Sequence, residues 1–406
     1  MDRNGCIPPV VRLDAARGLP HNRPEISRLQ TEAAGEPGRQ VIGNTGPIAE
    51  SGIAAGEPAP DASSTGAPAR RIRPEFSGAA GEYFRIWIVN LFFTLVTLGV
   101  YSAWAKVRKK KYFYGSTRLD GDSFDYFGSP KAILKGRIIA LVAFLLYALV
   151  GELYPASRYA FWALAVLFLP WLIVRAFTFN ARNSAYRGLR FDFTATAKDA
   201  AWVYVGKLAV VALTLGFALP WFMARQKAFV VSHHAYGTTR FGCELSARRY
   251  FGIYIRAGFI LSAVGAVLGG LSALLLPKLE RFGSLSWIAF LLPAILLYVG
   301  YAVSYAYMQS RTTNLLWANT YGPGVRFEST LAAAGLARLY VGNLLAAACS
   351  AGLLIPWAVV RTLRYRLENF ALIVEEDIVH EASPALAPVG AAGQELGEIF
   401  NLDLGL

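Results

Sequence analysis

The sequence predicts an all-α, polytopic integral membrane protein of about seven hydrophobic helices, arranged as two hairpins of membrane spans and three repeated segments. Three observations carry that prediction. The first is composition: 55% of the 406 residues are hydrophobic and 17% are charged, whereas soluble domains average about 45–50% apolar residues, glycine included, and about 25% charged. The second is a set of long uncharged runs, and the third is a motif that occurs three times. The formal net charge of +13 belongs to a chain too apolar to coat nucleic acid, so no nucleic-acid partner is expected. Cys6, Cys243 and Cys349 are too few and too dispersed for a disulfide framework or a zinc knuckle.

Residues 1–74 are rich in Gly, Pro, Ala, Glu and Arg and show no 3.6 or 2.0 apolar period. They are expected to form a disordered tail, because they cannot bury enough surface to offset the entropy of ordering. They contain no apolar run of the kind a signal peptide needs. Residues 378–406 are expected to form a second loose tail, leaving a membrane domain over 75–377.

Within that domain, Gly258–Leu276 and Leu285–Met308 carry no charge, and each is close to the ~20 residues that cross a ~30 Å hydrocarbon core. Tyr159–Val174 is uncharged too, and Arg175 beyond it can snorkel to the headgroups. Ile138–Gly151 is shorter and is extended by the stems of Lys135 and Arg137. These four runs make two hairpins, over 133–179 and 253–308.

The remaining apolar segments, near 84–112, 202–229 and 338–365, repeat one another without a gap. Trp87, Asn90, Leu91, Gly99, Trp104 and Arg108 recur 117 positions later as Tyr204, Lys207, Leu208, Gly216, Trp221 and Arg225. A further 136 positions on they recur as Tyr340, Asn343, Leu344, Gly352, Trp357 and Arg361. Such repeats in a membrane protein point to a duplicated bundle.

Whether the repeats cross the bilayer fully turns on charge. If all seven segments cross, the two sides hold about 19 and 14 flanking Lys and Arg residues. If each repeat enters and leaves on one side, the split is about 30 to 3, which the positive-inside rule favours and which makes the basic side cytoplasmic. Gly216 followed by Pro220, and Gly352 followed by Pro356, read as a helix stop and the first turn of a new helix, with Gly99 the matching break in the first repeat. The alternative is seven full spans with tolerated Gly and Pro.

The string Phe76-Ser77-Gly78, Glu82 to Asn90 and Thr97 to Arg108, continued by Lys111-Tyr112-Phe113-Tyr114 and Gly121 to Gly128, resembles the YjgN-like family of bacterial inner-membrane proteins. The resemblance covers about Phe76 to Asp377. It implies a multi-pass inner-membrane location and brings no catalytic or ligand residues with it. The chain departs from that pattern in its long leading tail and in Lys207, where the other two repeats have Asn.

Two sets of residues are candidates for function. Asn90, Lys207 and Asn343 sit inside apolar segments, where they line a polar path or hydrogen-bond between helices. Trp104/Arg108, Trp221/Arg225 and Trp357/Arg361 share one helical stripe, suited to anchoring at the interface or to gripping anionic lipid headgroups. His233, His234 and Cys243 lack supporting carboxylates for a metal site, and Asp120, Asp122 and Asp125 lack the Gly and Glu of a calcium loop. No metal, cofactor or enzymatic activity is expected, since no catalytic constellation occurs. The expected function is a transporter, channel or lipid-handling protein. The alternative is a scaffold that binds anionic lipid or partner proteins through its basic elbows.

Overall fold

The computed structural model describes residues 69–279 and 286–375. The tails expected at 1–74 and 378–406 therefore lie outside the described residues, except for residues 69–74. Arg70–Ile72, inside the expected N-terminal tail, forms a strand paired with Leu372–Val374.

Strands β1 (Arg70–Ile72) and β2 (Glu75–Phe76) lead into the first repeat, α1 (Ala80–Val96) and α2 (Ser102–Ser116), which ends in β3 (Thr117–Leu119). Strand β4 (Asp122–Tyr126), the hairpin α3 (Pro130–Leu153) and α4 (Ser157–Arg182), and β5 (Ser184–Tyr186) follow. The second repeat comprises β6 (Leu189–Phe193), α5 (Ala197–Ala201) running through a π-helical turn into α6 (Lys207–Leu213), α7 (Leu219–Ser232) and β7 (His234–Tyr236). Next come β8 (Thr239–Arg240), β9 (Gly242–Cys243), the hairpin α8 (Ala247–Leu279) and α9 (Ser286–Ala318), and β10 (Thr320–Gly322). The third repeat is β11 (Val325–Ser329), α10 (Ala333–Cys349), α11 (Ile355–Glu368) and β12 (Phe370–Val374).

The all-α expectation is thus corrected. Between the expected helices lie antiparallel strands, which form one sheet in the order β2-β3-β4-β5-β6-β7-β8 and another in the order β1-β12-β11-β10-β9. The sheets do not close into a barrel. The chain passes from one to the other through Arg73-Pro74 and through Phe241. The physical reason lies in the turns. Asp120-Gly121 and Arg187-Gly188 have positive φ at both residues (50° and 85°, 48° and 76°), the geometry of the two-residue turns whose twist matches that of paired strands.

Every helical pair is closed at its base by a strand ladder. For the hairpins, Tyr126 pairs with Ser184 below α3 and α4, and Cys243 pairs with Thr320 below α8 and α9. For the repeats, Phe76 pairs with Thr117, Phe193 with His234, and Ser329 with Phe370. Both ends of each repeat therefore return to the sheet they left.

Neighbouring pairs pack side by side: α2 on α3, α4 on α5, α7 on α8, α9 on α10, and α11 back on α1. At that last contact Arg364 Nη2 donates to Gly78 O at 3.1 Å. The buried core lies at the level of the sheets and the lower helix turns, in clusters such as Ile173, Phe177, Phe193, Tyr204 and Phe229, or Ala103, Val107, Tyr126, Ile133 and Phe179. Farther from the sheets the hairpins turn large apolar side chains outward, including Leu141, Phe144, Leu149 and Leu167. Burying one such side chain is worth about 1.5–3 kcal/mol, so a face this apolar is stable only against lipid. Pro130–Leu153, Ser157–Arg182 and Ala247–Leu274 are long and apolar enough to cross a membrane.

Candidate functional site: three elbows above a basic sheet

Each repeat is a helical elbow, and the same small device makes all three. The first helix ends on a residue with positive φ, Leu98, Leu215 or Ala351 (48–50°), followed by Gly99, Gly216 or Gly352 at φ 91°, 90° and 88°. The glycine N–H reaches back to the carbonyl five residues earlier at 2.7–2.8 Å, which satisfies an orphan acceptor of the helix end. Thr97, Thr214 and Ser350 then tie the two helices together. Their hydroxyls donate to Phe93, Val210 and Ala346 carbonyls and accept from the N–H of Tyr101, Ala218 and Leu354. Pro220 and Pro356 fall in the first turn of α7 and α11. The hydroxyl tie was missed in sequence, although the Thr/Ser that makes it stands two residues before each repeated glycine.

The elbow tips are apolar and uncovered. Leu98 is 95% exposed, Leu215 92% and Phe217 81%. In the first elbow, Ser102 accepts a hydrogen bond from Arg137 Nη1. Arg137 lies near the end of the second turn of the 24-residue α3, about 10–12 Å along a helix some 36 Å long. The elbow tip is therefore level with the lower half of α3.

The three candidate polar residues lie in separate elbows, and among the described residues no hydrogen bond joins one to another. Asn343 bridges its own elbow, with Nδ2 donating to Thr362 Oγ1 at 2.9 Å and to Ala358 O at 3.3 Å, and Oδ1 accepting from Arg361 at 3.5 Å. In the first repeat Lys109 holds the position of Thr362, and Asn90 Oδ1 is buried with no hydrogen-bond partner among the described residues. In the second repeat Lys207 follows the π-helical turn and lies within electrostatic reach of Arg225, a like charge. Replacing Lys207 with Asn removes that repulsion and restores the residue of the other two repeats. Lys207→Asn is expected to raise stability by about 0.5–1 kcal/mol, read as a higher thermal midpoint of the detergent-purified protein.

Of the Trp/Arg pairs, only Arg361 stacks on its tryptophan, 5.0 Å from the Trp357 ring centroid. Trp104 packs against the cluster around Val107 and Tyr126, Trp221 is half-buried, and Arg108 and Arg225 are exposed. Other arginines share one level in the hairpins. Arg175 lies over Trp171 at 5.7 Å and Arg311 over Tyr307 at 5.8 Å, 136 positions apart and each about 10 Å above the sheet end of its helix.

The sheets beneath are laced with ion pairs. Arg187 bonds Asp120 at 2.9 Å and Asp122 at 2.5 Å, and Arg182 bonds Asp192 at 2.7 Å. A cleft of about 490 Å³ opens where β1 passes into β2, lined by Arg70, Arg71, Arg73, Arg118 and Asp120 among others. His233 and His234 turn Nδ1 toward the Phe229 and Val230 carbonyls, at 2.8 and 2.7 Å, while Cys243 contacts Thr320.

His234 packs against Phe193 and Phe177, at 5.1 and 6.2 Å between ring centroids. Burial there holds its pKa below the ordinary 6.5. A histidine with a depressed folded pKa contributes stability that is complete above the unfolded value and is lost as pH falls below it. The thermal midpoint is therefore expected to fall on acidification below about pH 6.5, with a smaller fall in His234→Gln.

A family described as bacterial protein of unknown function (DUF898) matches residues 71–399. The chain belongs to that family. Among its relatives, the inner membrane protein YjgN of Salmonella typhimurium strain LT2 is 29% identical over 140 residues, which is 34% of this chain and 34% of the relative. The YjgN proteins of Escherichia coli O157:H7 and K12 are 24% and 25% identical over 142 and 147 residues, 35% of this chain and 36% of each relative. The chain thus aligns with about a third of the length of these relatives. No solved structure matches it. Like the inner-membrane proteins it resembles, this DUF898 chain is a multi-pass protein of the bacterial inner membrane, with a surface that contacts lipid.

Proposed function

We propose that this DUF898 protein handles phospholipid, easing movement of headgroups between the leaflets at a patch thinned by its elbows. The observation that carries this reading is the strand pairing at the base of each repeat, which brings both ends of every elbow to one side. The 30-to-3 excess of basic residues makes that side cytoplasmic. Elbow helices of 14–17 residues, such as α1, α10 and α11, rise only about 21–26 Å even when upright. Their exposed leucines displace acyl chains of the inner leaflet, and the elbow tips, level with the lower half of α3, stop short of the outer surface. A shorter apolar path lowers the cost of moving a polar headgroup across. The Trp/Arg pairs supply cations near the phosphate level.

The test is reconstitution into liposomes of phosphatidylethanolamine and phosphatidylglycerol with a fluorescent phosphatidylglycerol in both leaflets. Dithionite cannot cross the bilayer. It is expected to bleach nearly all of the probe in proteoliposomes and only the outer-leaflet share in protein-free vesicles. Bleaching confined to the outer-leaflet share contradicts lipid translocation. If the protein still binds anionic vesicles in a salt-sensitive way, that result identifies the scaffold instead.

A further inference from the structure

The repeats build the frame, so positions where the two halves differ are informative. One difference lies in the seam between α9 and the third elbow. Tyr298, Tyr301 and Tyr305 follow one another along α9, with ring centroids 6.5 and 6.1 Å apart. Tyr305 then meets Tyr340 of α10 at 5.8 Å, and the Tyr340 hydroxyl accepts from Arg366 Nη2 of α11 at 3.3 Å. The series descends continuously toward the sheet. The residues 136 positions earlier are Trp162, Ala165, Leu169, Tyr204 and Val230, so the first hairpin has no such series.

Depth makes the tyrosines unusual. Tyr301 and Tyr298 lie about 15 and 20 Å beyond Arg311 along the helix, near the middle of a ~30 Å hydrocarbon core. Tyrosine ordinarily sits at the interface, where its hydroxyl is wet. Tyr298 and Tyr301 are 50% and 54% exposed, and among the described residues neither hydroxyl has a hydrogen-bond partner. The contact with α8 is made elsewhere on α9. There Gly300 lies against Val264 and the buried Ser304 hydroxyl donates to Ala257 O at 2.8 Å.

We infer that Tyr298, Tyr301, Tyr305, Tyr340 and Arg366 form a hydroxyl track for the phosphodiester headgroup of a phospholipid, leading from mid-bilayer to the cytoplasmic base of the third elbow. Hydroxyl donors suit phosphate oxygens, and the arginine at the base supplies the charge-assisted end of the path. This inference rests on the lipid-handling reading and names the seam where it operates.

The test uses the full-length protein in liposomes containing phosphatidylglycerol with a photoreactive diazirine on its headgroup, with adducts mapped by mass spectrometry. Adducts over residues 298–305 are expected to exceed those over 162–169 by at least about fivefold, and to fall about fivefold in Tyr298→Phe/Tyr301→Phe, the scale of one lost hydrogen bond per headgroup. Equal labelling of the two seams, or labelling undiminished in the double variant, overturns the track. Dithionite bleaching of parallel vesicles separates the two readings. Track adducts without lipid redistribution refute translocation and keep the track as a headgroup-binding surface. Redistribution at the same rate in the double variant refutes the track and keeps translocation.

Discussion

Replacing Gly300 with alanine is expected to destabilise the second hairpin by about 1–3 kcal/mol, and a second substitution, Val264→Ala, is expected to recover most of the loss. A Cβ at Gly300 would stand 3.0 Å from Val264 Cβ and closer still to one of its methyl groups. Valine is branched at the β carbon and has little rotamer freedom in a helix with which to move aside. In lipid the helices gain nothing from hydrophobic burial against each other, so their association depends on close backbone approach at small residues and on hydrogen bonds such as Ser304 to Ala257. Gly300 supplies that approach one turn from Ser304. Thermal unfolding of the detergent-purified single and double variants measures the effect. A double variant no more stable than Gly300→Ala would show that the contact with Val264 is not the cause.

Gly216→Val is expected to cost a similar amount, about 1–3 kcal/mol, for a different reason. A Cβ at Gly216 meets nothing within 4 Å, so the first side-chain carbon is unobstructed, but φ is +90°. A β-branched residue rarely adopts that conformation. Relief requires the elbow to open, which breaks the Thr214 tie between α6 and α7. Gly265→Val is the control, because Gly265 is helical and a Cβ there is equally unobstructed. It is expected to leave the thermal midpoint nearly unchanged, whereas the midpoint of Gly216→Val drops and protease cleavage near Arg225 increases.

Much of this architecture was legible in the sequence for a simple reason: lipid imposes long uncharged runs, and duplication preserves Gly, Trp and Arg at fixed spacing. The breaks at Gly99, Gly216 and Gly352 were readable because only a left-handed turn explains a repeated glycine before a helix-starting Pro220 or Pro356. The sheets were not read, because strands of two to five residues are too short for a period of two to emerge. Asp120-Gly121 was the available signal, a two-residue turn between short alternating segments. The polar residues were legible as a set, whereas their relationship was not. Asn343 hydrogen-bonds within its own elbow because Thr362 and Ala358 lie on the facing helix, a pairing that linear spacing does not reveal. In sequence the tyrosines of α9 belong to an ordinary span, and only their depth and the contact of Tyr305 with Tyr340 set them apart.

In the proposed arrangement every elbow enters and leaves the bilayer on the cytoplasmic side. Single cysteines at Thr238, in the turn between β7 and β8, at Ala156, in the turn between α3 and α4, and at Leu215, on an elbow tip, test it directly in a background with Cys6, Cys243 and Cys349 replaced. With a membrane-impermeant maleimide, position 156 is expected to react in intact cells, position 238 only after the inner membrane is permeabilised, and position 215 in neither case. Labelling of position 238 in intact cells would place that loop in the periplasm and contradict the half-crossing elbows.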